Sequence, residues 1–142
     1  YVKSYDSMSY PPLNLVMIEI SLKFASCKNS NFIAKEKKII IDKMEEDISN
    51  GGTGEESDIR FHELLVEATC NRALELVVST CSELLNRTIE VTQRVAGVPE
   101  QALLDHRNIL EAIIQQDITN AEYYTRAHLM NAQQNLKKTR NP

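Results

Sequence analysis

The stretch Asp58-Ile59-Arg60-Phe61-His62 puts a carboxylate and an imidazole four residues apart. On an α-helix that spacing places both on one face, with their side chains in reach of each other. The chain holds only three histidines, and the other two, His106 and His128, also fall in segments with helical patterning. Imidazole nitrogen together with carboxylate oxygen is a donor set for Zn, Ni, Mn or Fe(II). The competing reading is that each histidine is an ordinary core or solvated side chain, because Asp–His pairs at this spacing arise often by chance on helices.

Such side chains need a scaffold, and the composition indicates its class. With 142 residues the chain is long enough for one domain with its own core. Glycine and proline number four each, tryptophan is absent, and β-branched and aromatic residues do not alternate, which favours an all-α fold. A net charge of −4 makes the surface a poor grip for nucleic acid. Cys27, Cys70 and Cys81 form an odd set without CxxC spacing, expected as free thiols of a reducing compartment and as small core residues. No apolar run approaches the length of a membrane span and no signal-peptide pattern opens the chain, so a cytoplasmic location is expected. The absence of an initiating Met suggests a piece of something longer.

Residues 1–12 carry three Tyr, three Ser and the Pro11-Pro12 pair without helical period, and are expected as a linker or arm. A helical domain follows over 13–138, with 139–142 as a tail. Leu15, Ile18, Leu22 and Ala25 mark a first helix over 13–27. Phe32, Glu36, Ile40, Met44 and Ile48 share a face of a second over 32–48, whose run Lys35-Glu36-Lys37-Lys38 is expected to face water. The Gly-rich loop before Thr53 has neither a preceding strand nor a following Gly-Lys-Ser/Thr, so it is a connection between helices rather than a phosphate cradle. Thr53 with Glu56 forms a capping box for a third helix, with Phe61, Leu64, Leu65 and Ala68 packing inward. Asn71 should cap a fourth and longest helix, whose seam Leu74, Val77, Cys81, Leu84, Thr88, Val91 repeats at alternating three and four. Gly97 ends the next turn, Pro99 suits the first position of a fifth helix reaching about residue 116, and Leu103, Leu104, Ile109, Leu110 and Ile113 are its apolar side. Thr119 with Glu122 forms a second capping box, opening a sixth helix to about residue 136.

Register tests the shared-site idea. If the last two helices form an antiparallel hairpin turning near Asp117, then His106 and His128 each lie eleven residues from the turn. They should then stand at the same height on facing helices. The helix bearing Asp58 and His62 is harder to bring in. A simple up-and-down ladder would leave His62 and His106 roughly 15 Å apart in level. Either the ladder fails, or the long helix bends, or the site has fewer than four protein ligands. Three imidazoles and one carboxylate would leave one or two positions of an octahedral ion open, suiting either Lewis-acid hydrolysis or capture of a carboxylate. HExxH is absent and Glu63 faces away from His62, which favours binding over catalysis.

The segments SDIRFHELLVEATCNRALELV, from Ser57, and LLDHRNILEAIIQQDITNAEYYTRAHLMN, from Leu103, resemble the effector-binding C-terminal (FCD) domain of the FadR branch of GntR bacterial transcription regulators. The likeness is good over 55–136 and weaker over 13–48. It implies an antiparallel bundle of six or seven helices enclosing a divalent metal, zinc or nickel first and manganese or iron after them. Asp58, His62, His106 and His128 match the family's Asp, His, His, His ligands. The resemblance also implies an organic-acid or sugar-acid effector touching the metal, a homodimer, and no enzyme activity. Contact with DNA would run only through a winged helix-turn-helix domain ahead of the arm. One departure stands out: the family's first helix carries an Arg facing the ligand, and residues 13–27 contain none. Arg87 is the expected substitute, against the plainer reading of a surface Arg; Asn71 is read as a cap and not as a ligand contact. Two rivals remain, a metal-dependent hydrolase or lyase and a metal-free helical module whose fourth-helix seam binds a partner.

Overall fold

Residues 30–140 are described in the computed structural model, and among them there are five helices and no strand. They are α1 (Ser30–Ser49), α2 (Glu55–Glu67), α3 (Arg72–Thr92), α4 (Val98–Ile114) and α5 (Ile118–Arg140). The arm over 1–12, the expected helix over 13–27 with Cys27, and residues 141–142 lie outside the described residues. No helix among those described is long and apolar enough to cross a membrane.

The boundaries follow local chemistry, not always that expected. Asn71 caps α3, its Oδ1 accepting from the backbone N–H of Ala73 and Leu74 at 3.1 and 3.3 Å. Gly97 stands at φ 80° before α4, with Pro99 in its first turn. Neither expected capping box forms. The residue before α2 is Gly54, at φ 68°, and Asp47 holds it from the preceding helix by accepting its N–H at 2.7 Å. A Cβ on Gly54 would approach Met44 Cγ to 2.9 Å, so the backbone conformation and the packing both require glycine. At α5 it is Asp117, not Thr119, that accepts the Asn120 N–H, at 3.0 Å. Its carboxylate reaches the third N–H after itself, where the helix start leaves donors unpaired.

The helices close a ring in the order α1, α2, α3, α5, α4, with α2 and α4 also touching across the middle. The up-and-down ladder therefore fails: α3 packs on α2 and α5, and α4 returns beside α1. The core gathers Ile40, Ile41 and Met44 of α1, Phe61, Leu64 and Leu65 of α2, and Leu103, Ile109, Leu110 and Ile113 of α4. Leu104, expected on the apolar side of its helix, is exposed, as is Cys70, while Cys81 is half-buried; both thiols are free.

On α3 the buried residues are Val78, Ile89 and Thr92 rather than the expected seam, and Val77, Leu84 and Val91 are exposed. Two apolar stripes run side by side on this helix, about 100° apart, and periodicity does not say which one meets the bundle.

The second correction concerns Lys37, which the charge run placed in water. It is wholly buried, on the α1 face with Ile40, Ile41 and Met44, its Nζ 5.1 Å from the Phe61 ring centroid. Burial pushes its pKa well below the ordinary 10.5. The unfolded chain keeps this proton to about pH 10.5 whereas the folded chain releases it earlier. Stability therefore rises with pH between the two values, by at most ~1.4 kcal/mol per pH unit. Lys37→Met should remove that slope. Urea unfolding of both proteins at pH 7 and pH 9 checks this, and identical slopes would contradict it.

Candidate metal centre

Helix α2 supplies Asp58 and His62 from one face, α4 supplies His106, and α5 supplies His128. The α2–α4 contact across the ring brings the first two helices together, and the α4–α5 hairpin brings the third. The ring centroids of His106 and His128 stand 4.8 Å apart, as equal height on facing helices predicts. His62 lies 5.2 Å from His106 and 5.4 Å from His128. One ligand atom from each of the three histidines lies within 4.8 Å of the others, and all three residues are buried. Asp58 Oδ1 stands 3.2 Å from His62 Nε2 and 3.6 Å from His106 Nε2, without an aligned hydrogen bond to either.

The electrostatics suit cation ligands. Burial raises the Asp58 pKa, but the imidazoles around it, His106 foremost, outweigh this and hold it well below the usual carboxylate range. Burial drives the His106 imidazole well below its ordinary 6.5, with Asp58 opposing, so its ring is neutral. Both nitrogens of His106, His62 Nδ1 and Asp58 Oδ1 are buried without a hydrogen-bond partner among the described residues. Orphaned polar atoms in a native core are rare and costly. A cation with ligand bonds of ~2.1 Å would satisfy those that converge.

Two further residues support the cluster. Asp105, beside His106 in sequence, faces His128 Nδ1 at 3.3 Å from its Oδ2. It also accepts from Asn131 Nδ2 at 3.2 Å and from Gln101 Nε2 at 2.8 Å. Burial raises the Asp105 pKa, and the groups donating to it, His128 first, lower it by more, so the carboxylate stays ionised. An ionised Asp105 can accept from a proton-bearing Nδ1, and this contact orients the His128 ring in the cluster. Gln93, the residue after α3, donates from Nε2 to Asp58 Oδ2. Sequence reading missed both. The Asp105-His106 adjacency offered a hint, whereas nothing in the local pattern marks Gln93, which is 35 residues from its partner.

Beside the cluster is a cavity of about 60 Å³, lined by Asp58, His62, Gln93, Asp105 and His128 and by apolar residues of α3 to α5 such as Ile89 and Leu129. Arg87 is not brought to it. It is exposed, in a shallow surface groove with Glu83, Asn86 and Glu90, because residue 87 points away from the side of α3 that carries Leu85 and Ile89.

Fold and site together define an all-helical bundle built around an interior cluster of three histidines and one aspartate, with a small cavity against it. The FCD domain family matches residues 33–131, and the chain belongs to it: this is the C-terminal effector-binding domain of GntR-family regulators. No curated protein matches the chain.

Proposed function

We propose that this domain senses a small organic-acid or sugar-acid metabolite through a divalent metal held by Asp58, His62, His106 and His128, and passes the signal on as part of a dimeric cytoplasmic transcription regulator. Contact with DNA would be made by a winged helix-turn-helix domain elsewhere in the whole protein, and no catalytic turnover is part of the proposal. The single observation carrying the reading is the convergence, in the core, of three imidazoles and one carboxylate from three helices. Nitrogen-rich ligation with one carboxylate suits zinc or nickel before manganese or iron. The metal, when bound, would act as a Lewis acid that takes a carboxylate oxygen at its open position. The protein's own part is to hold the ligands on α2, α4 and α5, so that an occupant of the site ties those helices together. Such an occupant shifts the regulator between states only to the extent that it binds one of them more tightly.

Elemental analysis of the purified chain should find about one divalent metal per chain. Stripping with a chelator should lower the melting temperature, since a ligand of the folded state stabilises by mass action. Metal below a tenth of an equivalent, with no chelator effect, would contradict the proposal. Dimerisation is supported by the exposed apolar row Leu76, Val77, Leu84 and Val91 along α3. Sedimentation equilibrium should show a dimer that Leu84→Glu converts to monomer.

A further inference from the structure

Asp58 is the one proposed ligand with two oxygens to give, and the fold treats them differently. Its Oδ2 accepts a hydrogen bond from Gln93 Nε2. Its Oδ1 has no hydrogen-bond partner among the described residues, and it stands 3.2 Å from His62 Nε2 and 3.6 Å from His106 Nε2. Two donor atoms on a tetrahedral cation with bonds of ~2.1 Å are ~3.4 Å apart. Oδ1 is therefore spaced from the two imidazoles as a fellow ligand would be, while Oδ2 is engaged by an amide.

Chemistry fixes the direction of that bond. A carboxylate can only accept, so the Gln93 amide turns its N–H₂ towards Asp58. Both residues are 3% exposed, so water competes little for Oδ2, and a hydrogen bond to a buried charged group is one of the stronger kinds. The partner comes from the residue after α3, a helix that supplies no ligand to the centre. The consequence is denticity. A carboxylate with both oxygens free can give both to one ion, as it often does to large oxygen-seeking cations with about six to eight ligands. A carboxylate with one oxygen committed to an amide gives a single bond, which suits a small ion among nitrogen ligands.

We infer that Gln93 is a positioning residue that selects the ion: by holding Oδ2 it keeps Asp58 a one-oxygen ligand through Oδ1, and so favours zinc over oxygen-preferring manganese. This rests on the metal-sensor reading above and deepens it. The test is a double-mutant cycle on the chain, with zinc and manganese as probes in competition with a chromophoric chelator. Gln93→Met keeps the length of the side chain and removes its donor. It should lower zinc affinity ~10- to 100-fold, the usual cost of losing a group that orients a metal ligand, and narrow the preference for zinc over manganese by about tenfold. In an Asp58→Ala background the same substitution should cost less than about twofold in zinc affinity, because the carboxylate it orients is gone. Equal cost in both backgrounds, no cost in either, or an unchanged zinc-to-manganese preference overturns the inference and leaves the metal site standing. A second readout needs no substitution at position 93. Asp58 is the only carboxylate among the proposed ligands, so the infrared difference between zinc-loaded and metal-free wild type reports its denticity through the separation of the two carboxylate stretches. One-oxygen coordination is expected, two-oxygen coordination overturns the inference, and this spectrum decides if Gln93→Met does not fold. A wild-type chain that takes up no zinc overturns the sensor reading, and this inference with it.

Discussion

His106→Ala is expected to reduce metal affinity by more than ~100-fold. Loss of a mere outer-shell partner already costs 10- to 100-fold in metal sites, and the proposed function makes this ring a direct ligand. Among the proposed ligands, His106 is the one whose two ring nitrogens both lack a hydrogen-bond partner among the described residues. It is fully buried, and its Nε2 is 3.6 Å from Asp58 Oδ1. His128→Ala should weaken binding too, yet there the Asp105 contact gives the ring a second reason to be present. Competition against a chromophoric chelator would measure both variants. Wild-type affinity in His106→Ala would sink the proposed centre, because the ring placed between the other ligands would then not hold the metal.

Phe61→Ala should destabilise the fold by ~3–5 kcal/mol, the usual range for truncating a fully buried aromatic. In a domain of this size that lowers the melting temperature by ~10–20 °C. Phe61 has no exposed surface, stacks on His106 with centroids 4.0 Å apart and planes 15° apart, and meets His62 edge-on at 5.8 Å. It therefore both fills the core and fixes the tilt of two candidate ligands. Phe61→Leu, which restores most of the volume without the stacking, separates the two roles. Its stability should recover by more than half while metal affinity stays below wild type. If affinity returns along with stability, Phe61 acts through packing alone.

Much of this architecture was legible one segment at a time. Asn71 and Gly97 mark helix boundaries because capping and left-handed turns depend on a residue and its nearest neighbours. The Asp58–His62 pair was readable because four residues make about one helical turn, and the equal heights of His106 and His128 follow from helical rise and one turn position. The capping boxes gave way to neighbours close by in sequence: Asp47 accepts the Gly54 N–H just before one helix, and Asp117 accepts the Asn120 N–H at the start of the other.

What the chain alone determined, then, is the set of helices and the imidazoles and carboxylate each one carries, since backbone hydrogen bonding and side-chain spacing act over a few residues. Only the tertiary structure decided which stripe of α3 faces inward, that Lys37 is buried, that Arg87 stands apart from the cavity, and that Gln93 reaches Asp58. The meeting of His62 with His106 belongs with these, because it required the ring order α1, α2, α3, α5, α4 in place of a ladder. Each of these depends on which helix becomes whose neighbour, and that is settled by the burial of several faces at once, a property no single segment holds.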